Sequence, residues 1–249
     1  MTKPAGPEAK EQPKAKDIDW RWASAKYVAH WHEPAYEVLA RHIDQGSKIL
    51  EVGAGSSHTL AALSGRRGCD AFGVEPDADG IRKVLEFAEM ESTNLTIVEG
   101  SGFALPFDDE TFDVVYSQGL IEHFPEDETR ELLQEHRRVC RKGGKVIVSV
   151  PNVYNLPHTL KKTWLGKNYN YYPERSYSSA KLKSLVESTG LRISTVDGLL
   201  PLWVINDHKY GWRVIAGLQR LGLQKRIDNL KDPAWRARVG YMTYAVAER

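Results

Sequence analysis

Cysteine is scarce in this chain. Only Cys69 and Cys140 occur among 249 residues, so neither a disulfide framework nor a cysteine-built zinc site can be assembled, and a reducing, cytoplasmic setting is expected. Long apolar runs are also missing. The stretches 146–150 and 198–205 fall far short of the roughly 20 residues a helix needs to cross a bilayer, so no integral membrane segment is expected. Nor is there an excess of one charge: 34 basic side chains face 33 acidic ones, for a formal charge of +1. A strongly basic domain and a reading module are both lacking, which excludes nucleic acid as the expected partner. No repeat of roughly 20–50 residues recurs, so a solenoid or propeller is excluded. Residues 1–16 alternate Lys, Glu, Pro and Ala without an apolar stretch, which reads as a flexible tail and not as a secretory signal.

What is present is ordinary globular material, 41% hydrophobic and 27% charged, enough for one large core over residues 17–249. Trp20, Trp22, Tyr27, Trp31, Tyr36, Val38 and Leu39 recur at loosely helical spacing, and Pro34 is expected to split the run into two helical pieces. Then strand and helix alternate. Strands are predicted at 48–52, 71–74, 95–98, 112–116 and 145–150, with helices at 57–63, after an Asp77 N-cap carrying Ile81, Leu85 and Met90, and at 126–140. Gly143 and Gly144 are expected to turn that last helix into the fifth strand. A helix over 178–188 and strands at 191–196 and 240–247 complete the pattern, interrupted by a long insertion at 199–239. Such alternation predicts an α/β fold with a mostly parallel sheet, helices on both faces, and ligands beyond the carboxyl ends of the strands.

The residues at those ends carry the chemistry. After the first strand comes Glu51-Val52-Gly53-Ala54-Gly55-Ser56-Ser57, a small-residue turn that lets backbone approach a ligand near a helix start. It departs from the dinucleotide fingerprint, because Ser57 stands at the third glycine position and Glu51 precedes the first. A carboxylate there suits a cationic ligand such as a sulfonium joined to an ammonium, and disfavours a nicotinamide oxidoreductase. Glu75, followed by Pro76, ends the second strand roughly 20 residues after the glycines, where an acid accepts hydrogen bonds from ribose hydroxyls.

Taken with Leu105-Pro106-Phe107, Phe112-Asp113-Val114-Val115 and Glu122-His123, these residues resemble the class I S-adenosylmethionine-dependent methyltransferases. The resemblance runs over about residues 49–150 and is nearest to the small-molecule group that includes the ubiquinone-biosynthesis methyltransferases. It implies a Rossmann-like, doubly wound seven-stranded sheet with an antiparallel last strand and an N-terminal helical lid over 17–46, with Tyr27 as the lid contact. It also implies S-adenosyl-L-methionine as cofactor and S-adenosyl-L-homocysteine as product. Glu51, Gly53, Ala54 and Gly55 would hold the methionine part, with Gln118 and Gly119 lining the same end. Glu75 and Pro76 would flank the ribose, and Ser101, Gly102 and Phe103 the adenine. Ser101 stands where the family usually has Asp, and its hydroxyl is a weaker acceptor. Phe103 suits either a wall for the ring or core filler.

Transfer of a methyl group needs a positioned acceptor more than a dedicated nucleophile. A hydroxyl acceptor is helped by a base, and His123 is the first candidate, its competing role being to order or cap the next helix. His158, with Tyr169, Tyr171 and Tyr172, lies in the segment after the fifth strand, where an acceptor pocket is expected. Some relatives place a metal here with two carboxylates and a His. Gly119 breaks that set, so no metal is expected. Residues 151–180 and 199–239 read as acceptor-side insertions. In the second, eight basic side chains outnumber three acidic ones, which fits a solvated face, an anionic acceptor, or contact with a membrane or lipid-linked acceptor. The function expected is methylation of a small-molecule acceptor, at oxygen first and at nitrogen or carbon second. A cofactor-fold protein that binds without turnover is the alternative.

Overall fold

Apolar residues alternating with period two build a single sheet. The computed structural model describes residues 25–55, 57–76, 95–165, 174–199, 217, 220–223 and 233–249. In chain order these hold α1 (Ala25–Ala40), β1 (Lys48–Val52), α2 (His58–Arg67), β2 (Asp70–Glu75), β3 (Leu95–Glu99), β4 (Phe112–Gln118) and a 3-10 turn (Ile121–His123). There follow α3 (Glu126–Val139), β5 (Cys140–Pro151), α4 (Leu156–Leu165), α5 (Ser179–Glu187), β6 (Arg192–Leu199), α6 (Pro233–Val239) and β7 (Met242–Glu248). The helix expected after Asp77, with Ile81, Leu85 and Met90, lies outside the described residues, as do the side chain of Tyr27 and Tyr169, Tyr171 and Tyr172.

The seven strands of the described residues pair in the order β3-β2-β1-β4-β5-β7-β6. All neighbouring pairs are parallel except those made by β7, which runs antiparallel to both β5 and β6. This is the Rossmann-like, doubly wound arrangement with helices on both faces. The chain winds outward from β1 through β2 to β3, then returns to start again at β4 on the other side of β1. The crevice between the carboxyl ends of β1 and β4 is therefore the point at which connections diverge to opposite faces, where open α/β sheets bind ligands.

Each face has its own core. On one, Leu50, Val52, Val115, Val146, Val148 and Val150 meet Leu132 and Leu133 of α3 and Leu182, Leu185 and Val186 of α5. On the other, Ile49, Val114, Tyr116 and Ile147 meet Val38 and Leu39 of α1 and Leu60 and Leu63 of α2. The odd and even positions of β1 thus serve opposite layers, as the pleat requires.

One expectation is corrected and one is refined. Pro34 lies inside α1, which runs unbroken from Ala25 to Ala40. The proline removes one helical hydrogen bond, but Ala35 beside it and Val38 and Leu39, one turn on, are buried and hold the helix against the sheet. Gly143 does take the left-handed backbone expected of it, with φ +71°, but the turn falls after Cys140, which already pairs with Phe112 of β4 and is counted in β5, and not at the end of α3 at Val139. The glycines lie within the strand, where β4 and β5 shift register between Phe112 and Val114. A Cβ on Gly144 would come 2.8 Å from the Asp113 carbonyl oxygen, so only glycine lets the strands approach there.

At the far end of the sheet, one buried ion pair fastens α6 to the strands. Asp197 of β6, 3% exposed, accepts from Arg236 Nε at 2.7 Å, from its own neighbour Gly198 N at 2.7 Å and from Tyr244 Oη at 2.9 Å. Asn152, just past β5, donates to the carbonyls of Ala237 and Gly240 at 2.7 and 3.0 Å. These bonds fix α6, the end of the 199–239 insertion, at the carboxyl edge of the sheet. Arg236→Ala would leave Asp197 buried without its cation and is expected to destabilise the fold by about 3–5 kcal/mol. Lys183→Ala, which breaks the exposed pair with Glu187, should cost less than about 1 kcal/mol. Urea unfolding midpoints of the two variants provide the comparison.

Candidate functional site

The crevice between β1 and β4 is lined by carboxyl groups. Glu51 lies opposite Tyr116 in the β1–β4 register and is 4% exposed. Tyr116 donates its hydroxyl to Glu51 Oε2 at 3.1 Å, and Gln118 donates its amide to Oε1 at 3.2 Å. Burial pushes the Glu51 pKa up to about 7; the donors Gln118 and Tyr116, with Ser57 nearby, oppose the rise and the charge of Glu75 adds to it. A carboxyl so placed is short of a cation. A positively charged ligand in the crevice would supply one and restore the ionised form.

The loop that follows is held by backbone bonds. Gly53 N and Ala54 N both donate to the Val74 carbonyl, at 2.9 and 3.0 Å. Gly53 has φ +73°, and a Cβ there would fall 2.9 Å from Leu120 Cδ1, so this position combines a left-handed backbone with close approach to the segment after β4. Gly55 N donates to Glu75 Oε2 at 2.9 Å, tying the loop to the tip of β2. Ser57 takes the left-handed conformation a glycine would adopt, with φ +46°, and its hydroxyl donates to the Ala54 carbonyl at 2.8 Å. Pro76 is exposed directly after Glu75.

The segment after β3 closes the third side. Gly100 N donates to the Glu75 carbonyl at 3.2 Å. Ser101 turns on itself, its hydroxyl accepting from Phe103 N at 3.2 Å. A Cβ on Gly102 would meet Val52 Cγ1 at 2.9 Å, so this turn packs directly on the end of β1. Phe103 stacks edge-on with Phe124, ring centroids 5.0 Å apart, and is only partly buried. Glu51, Gly53, Ala54, Gly55, Glu75, Ser101, Gly102, Gln118 and Gly119 thus share the carboxyl edge of β1, β2, β3 and β4.

The two histidines differ in setting. His123 ends the 3-10 turn and is half-buried, five residues beyond Gln118 in sequence. It does not cap α3, whose N-cap is Pro125 and makes no side-chain capping bond. His158 of α4 is 1% exposed. Its Nε2 lies 3.3 Å from Glu174 Oε1 and its ring meets Tyr241 edge-on at 4.9 Å. Lys162, one turn later, reaches the same Glu174 oxygen at 3.2 Å. Contact with His158 and Lys162 outweighs burial and holds the Glu174 carboxyl below its usual range.

Sequence reading missed three participants. Tyr116 is one, and its signal is its place two residues before Gln118, which puts both side chains on one face of β4. Glu174 is another, for which no local signal exists. Glu122 is the third: it entered only as part of a motif, yet it is 3% exposed and its Oε2 has no hydrogen-bond partner. Burial drives its pKa well above the usual carboxylate range, and nearby Glu174 adds to this. A Cβ on Gly119 would lie 3.3 Å from Glu122 Oε1, so this neutral acid packs against the residue that follows Gln118. Among the described residues, no three His, Cys, Asp or Glu side chains converge as metal ligands.

Residues 50–148 match the family model of a methyltransferase domain. That match lies over the acidic, glycine-lined crevice of this sheet. Residues 50–148 form a methyltransferase domain of the class I S-adenosylmethionine-dependent kind. This methyltransferase is 36% identical over 113 residues to a phosphatidylethanolamine N-methyltransferase of Cereibacter sphaeroides, covering 44% of the chain and 53% of that relative. It is 28% identical over 188 residues to the mitochondrial ubiquinone biosynthesis O-methyltransferase of Homo sapiens, covering 68% of the chain and 46% of that protein. The match therefore spans about half the length of each of these curated relatives. In fold, the methyltransferase is similar to a structure of the complex between the Haloferax volcanii Trm112 methyltransferase activator and a methyltransferase, with TM-score 0.67, 19% identity, and 96% and 99% of the two chains covered.

The raised Glu51 pKa has a consequence for stability. In the unfolded chain the carboxyl ionises near 4.5, whereas in the fold it keeps its proton to about 7. Because the folded form binds more protons across that window, stability falls as pH rises from 4.5 to about 7 and stays lowered above it. The penalty is about 3 kcal/mol at most. Glu51→Gln is therefore expected to raise the melting temperature of this methyltransferase at about pH 8, with little change at about pH 4.5. A thermal-denaturation series on both proteins, giving their difference as a function of pH, measures it.

Proposed function

We propose that this protein transfers the methyl group of S-adenosyl-L-methionine to a small-molecule acceptor. The observation that carries this reading is the buried Glu51 carboxyl, held by Tyr116 and Gln118 at the point where β1 and β4 diverge. Glu51 would face the cationic methionine end, with Gly53, Ala54, Gly55, Gln118 and Gly119 around it. Glu75 and Pro76 would flank the ribose, and Ser101, Gly102 and Phe103 the adenine. Tyr27, in the lid at 17–46, would cover the cofactor. The cofactor supplies an electrophilic methyl carbon on a good leaving group. The protein has to align the acceptor, exclude water and take up a proton.

Oxygen is the favoured acceptor atom, in keeping with the human O-methyltransferase relative. As the acceptor oxygen forms its new bond to carbon, its proton passes to the His123 imidazole. His123 is favoured over His158 for this role because His158 is fully buried against Tyr241 and Glu174. Nitrogen is the second reading, supported by the phosphatidylethanolamine N-methyltransferase relative. Gly119 offers no carboxylate to a cation, so transfer is proposed to run without metal. Residues 17–249 would form one catalytic domain behind the tail at 1–16, with 151–180 and 199–239 on the acceptor side. No helix of the described residues is long and apolar enough to cross a membrane, and the proposed setting is the cytoplasm.

Equilibrium dialysis of S-adenosyl-L-methionine in chelator-containing buffer tests the cofactor reading. Uptake by the wild-type protein, weakened at least about tenfold in Glu51→Gln, is expected, since loss of a close charge pair is worth about 1.4 kcal/mol or more. No uptake by folded wild-type protein would sink it. For the base, a radiolabelled methyl screen over metabolite pools identifies the acceptor. His123→Ala should then lower kcat by about 10²–10⁴ while cofactor affinity is unchanged. An unchanged kcat removes His123 from the reaction.

A further inference from the structure

Just past β5, the methyltransferase carries an apolar ridge that no part of the described structure covers. Leu156, Leu160 and Trp164 of α4 are 64%, 59% and 82% exposed, and Val153 and Tyr154, immediately before the helix, are 38% and 59% exposed. Spacing of four residues puts the first three in one row along the helix. A tryptophan this exposed is unusual, because large aromatic side chains normally gain from burial.

The ridge cannot turn inward. His158 and Lys162, also four apart, occupy the opposite side of α4. His158 is buried against Tyr241, and Lys162 Nζ reaches Glu174 Oε1 at 3.2 Å and Ser176 Oγ at 3.3 Å. At the start of the helix, His158 N donates to Asn155 Oδ1 at 3.1 Å, and Thr159 donates to the Val153 carbonyl at 2.8 Å. These bonds set the rotation of α4, so the apolar row faces outward by construction.

Charge indicates what lies opposite. Between Pro151 and Pro173 there is no Asp or Glu, whereas two further lysines, Lys161 and Lys167, stand beside Lys162, which is itself turned to Glu174. The same stretch holds Trp164 and Tyr154, Tyr169, Tyr171 and Tyr172. An apolar row of leucines and tryptophan on a helix, in a stretch of sequence with tyrosines and lysines and no acids, has the composition of a segment that lies in the headgroup region of an anionic bilayer. A protein partner would call for a broader surface with acceptors and donors of both signs.

We infer that α4 docks this protein reversibly on an anionic lipid surface, with Leu156, Leu160 and Trp164 entering the apolar layer. A helix of ten residues binds weakly through apolar contact alone, so attraction of Lys161 and Lys167 to acidic headgroups is a required part of the affinity. Because α4 leaves the carboxyl end of β5, docking also brings to the membrane the sheet edge that carries Gly53, Gly55, Gln118 and Gly119. A lipid acceptor drawn from that surface follows from docking, and this consequence rests on the methyl-transfer reading above. The docking itself does not.

Sedimentation of the full chain with vesicles of phosphatidylcholine, with and without phosphatidylserine, tests the proposal. The wild-type protein should pellet with the phosphatidylserine vesicles, bind about tenfold more weakly to pure phosphatidylcholine, and be released by salt. The double substitution Leu160→Ser with Trp164→Ser should weaken pelleting about tenfold or more, while melting temperature and S-adenosyl-L-methionine uptake stay those of the wild type. Retained cofactor uptake separates failure of docking from failure of the cofactor reading. Absence of wild-type binding to phosphatidylserine vesicles overturns the inference. Equal binding by the double variant also overturns it and transfers the attraction to other basic segments. If sedimentation velocity without vesicles shows a dimer that the double variant loses, the ridge is a self-association surface and the lipid assignment is wrong.

Discussion

The architecture around the crevice depends on the neutralisation of one buried carboxyl. Glu51 is placed by β1 in the middle of the sheet, with strands on both sides and little water, and an ionised carboxylate there is costly unless donors or a cation meet it. Two donors come from β4, through Tyr116 and Gln118. They leave the group half-satisfied, with a pKa of about 7. That incomplete compensation is what distinguishes a ligand site from a structural ion pair. Asp197 at the other end of the sheet is the contrast, because Arg236, Tyr244 and the Gly198 amide satisfy it within the chain and leave no room for an outside cation.

Much of the fold was legible because it follows from backbone periodicity. The apolar run at 48–52 and the alternation at 112–116 mark β1 and β4 correctly, since a strand buried on both sides must be nearly continuous in hydrophobic residues. The glycines at 53 and 55 and the acid at 75 were legible for a different reason, namely that only certain residue types can stand at a strand tip and approach a ligand. Tertiary packing explains what was misread. Pro34 reads locally as a helix break, yet the buried face of α1 overrides it. Gly143 turns the chain as its residue type suggests, with φ +71°, but Cys140 pairs with Phe112 before the turn, so the strand begins earlier than local sequence indicates. Tyr116 as partner of Glu51 depends on strand register, and Glu174 as partner of His158 on how a segment after α4 folds back. Neither relation is encoded in neighbouring residues.

Glu122 and Glu174 show how one sheet edge sustains two carboxyls in opposite states. Glu174 has His158 and Lys162 beside it and is held ionised. Glu122 is buried without a partner for Oε2, and the negative charge of Glu174 adds to the cost of ionising it. Two like charges in one low-dielectric region divide in this way, one keeping a cation and the other a proton. Glu122 packs against Gly119, the residue after Gln118. The edge of the sheet around Gly119 therefore carries less negative charge than its acid count suggests.

The same bonds that ionise Glu174 also determine the outer surface. Lys162 and His158 can satisfy Glu174 only if α4 presents that side inward, and with the helix so fixed, the row Leu156, Leu160 and Trp164 has no interior to enter. An exposed apolar row is thus the geometric counterpart of a buried ionic cluster on a helix of three turns. Sequence that relieved the exposure by making these positions polar would leave the cluster intact, because the two faces share no side chains. Leucine and tryptophan at these positions are therefore not required by folding, and it is this independence from the core on which the assignment of the ridge as a docking surface rests.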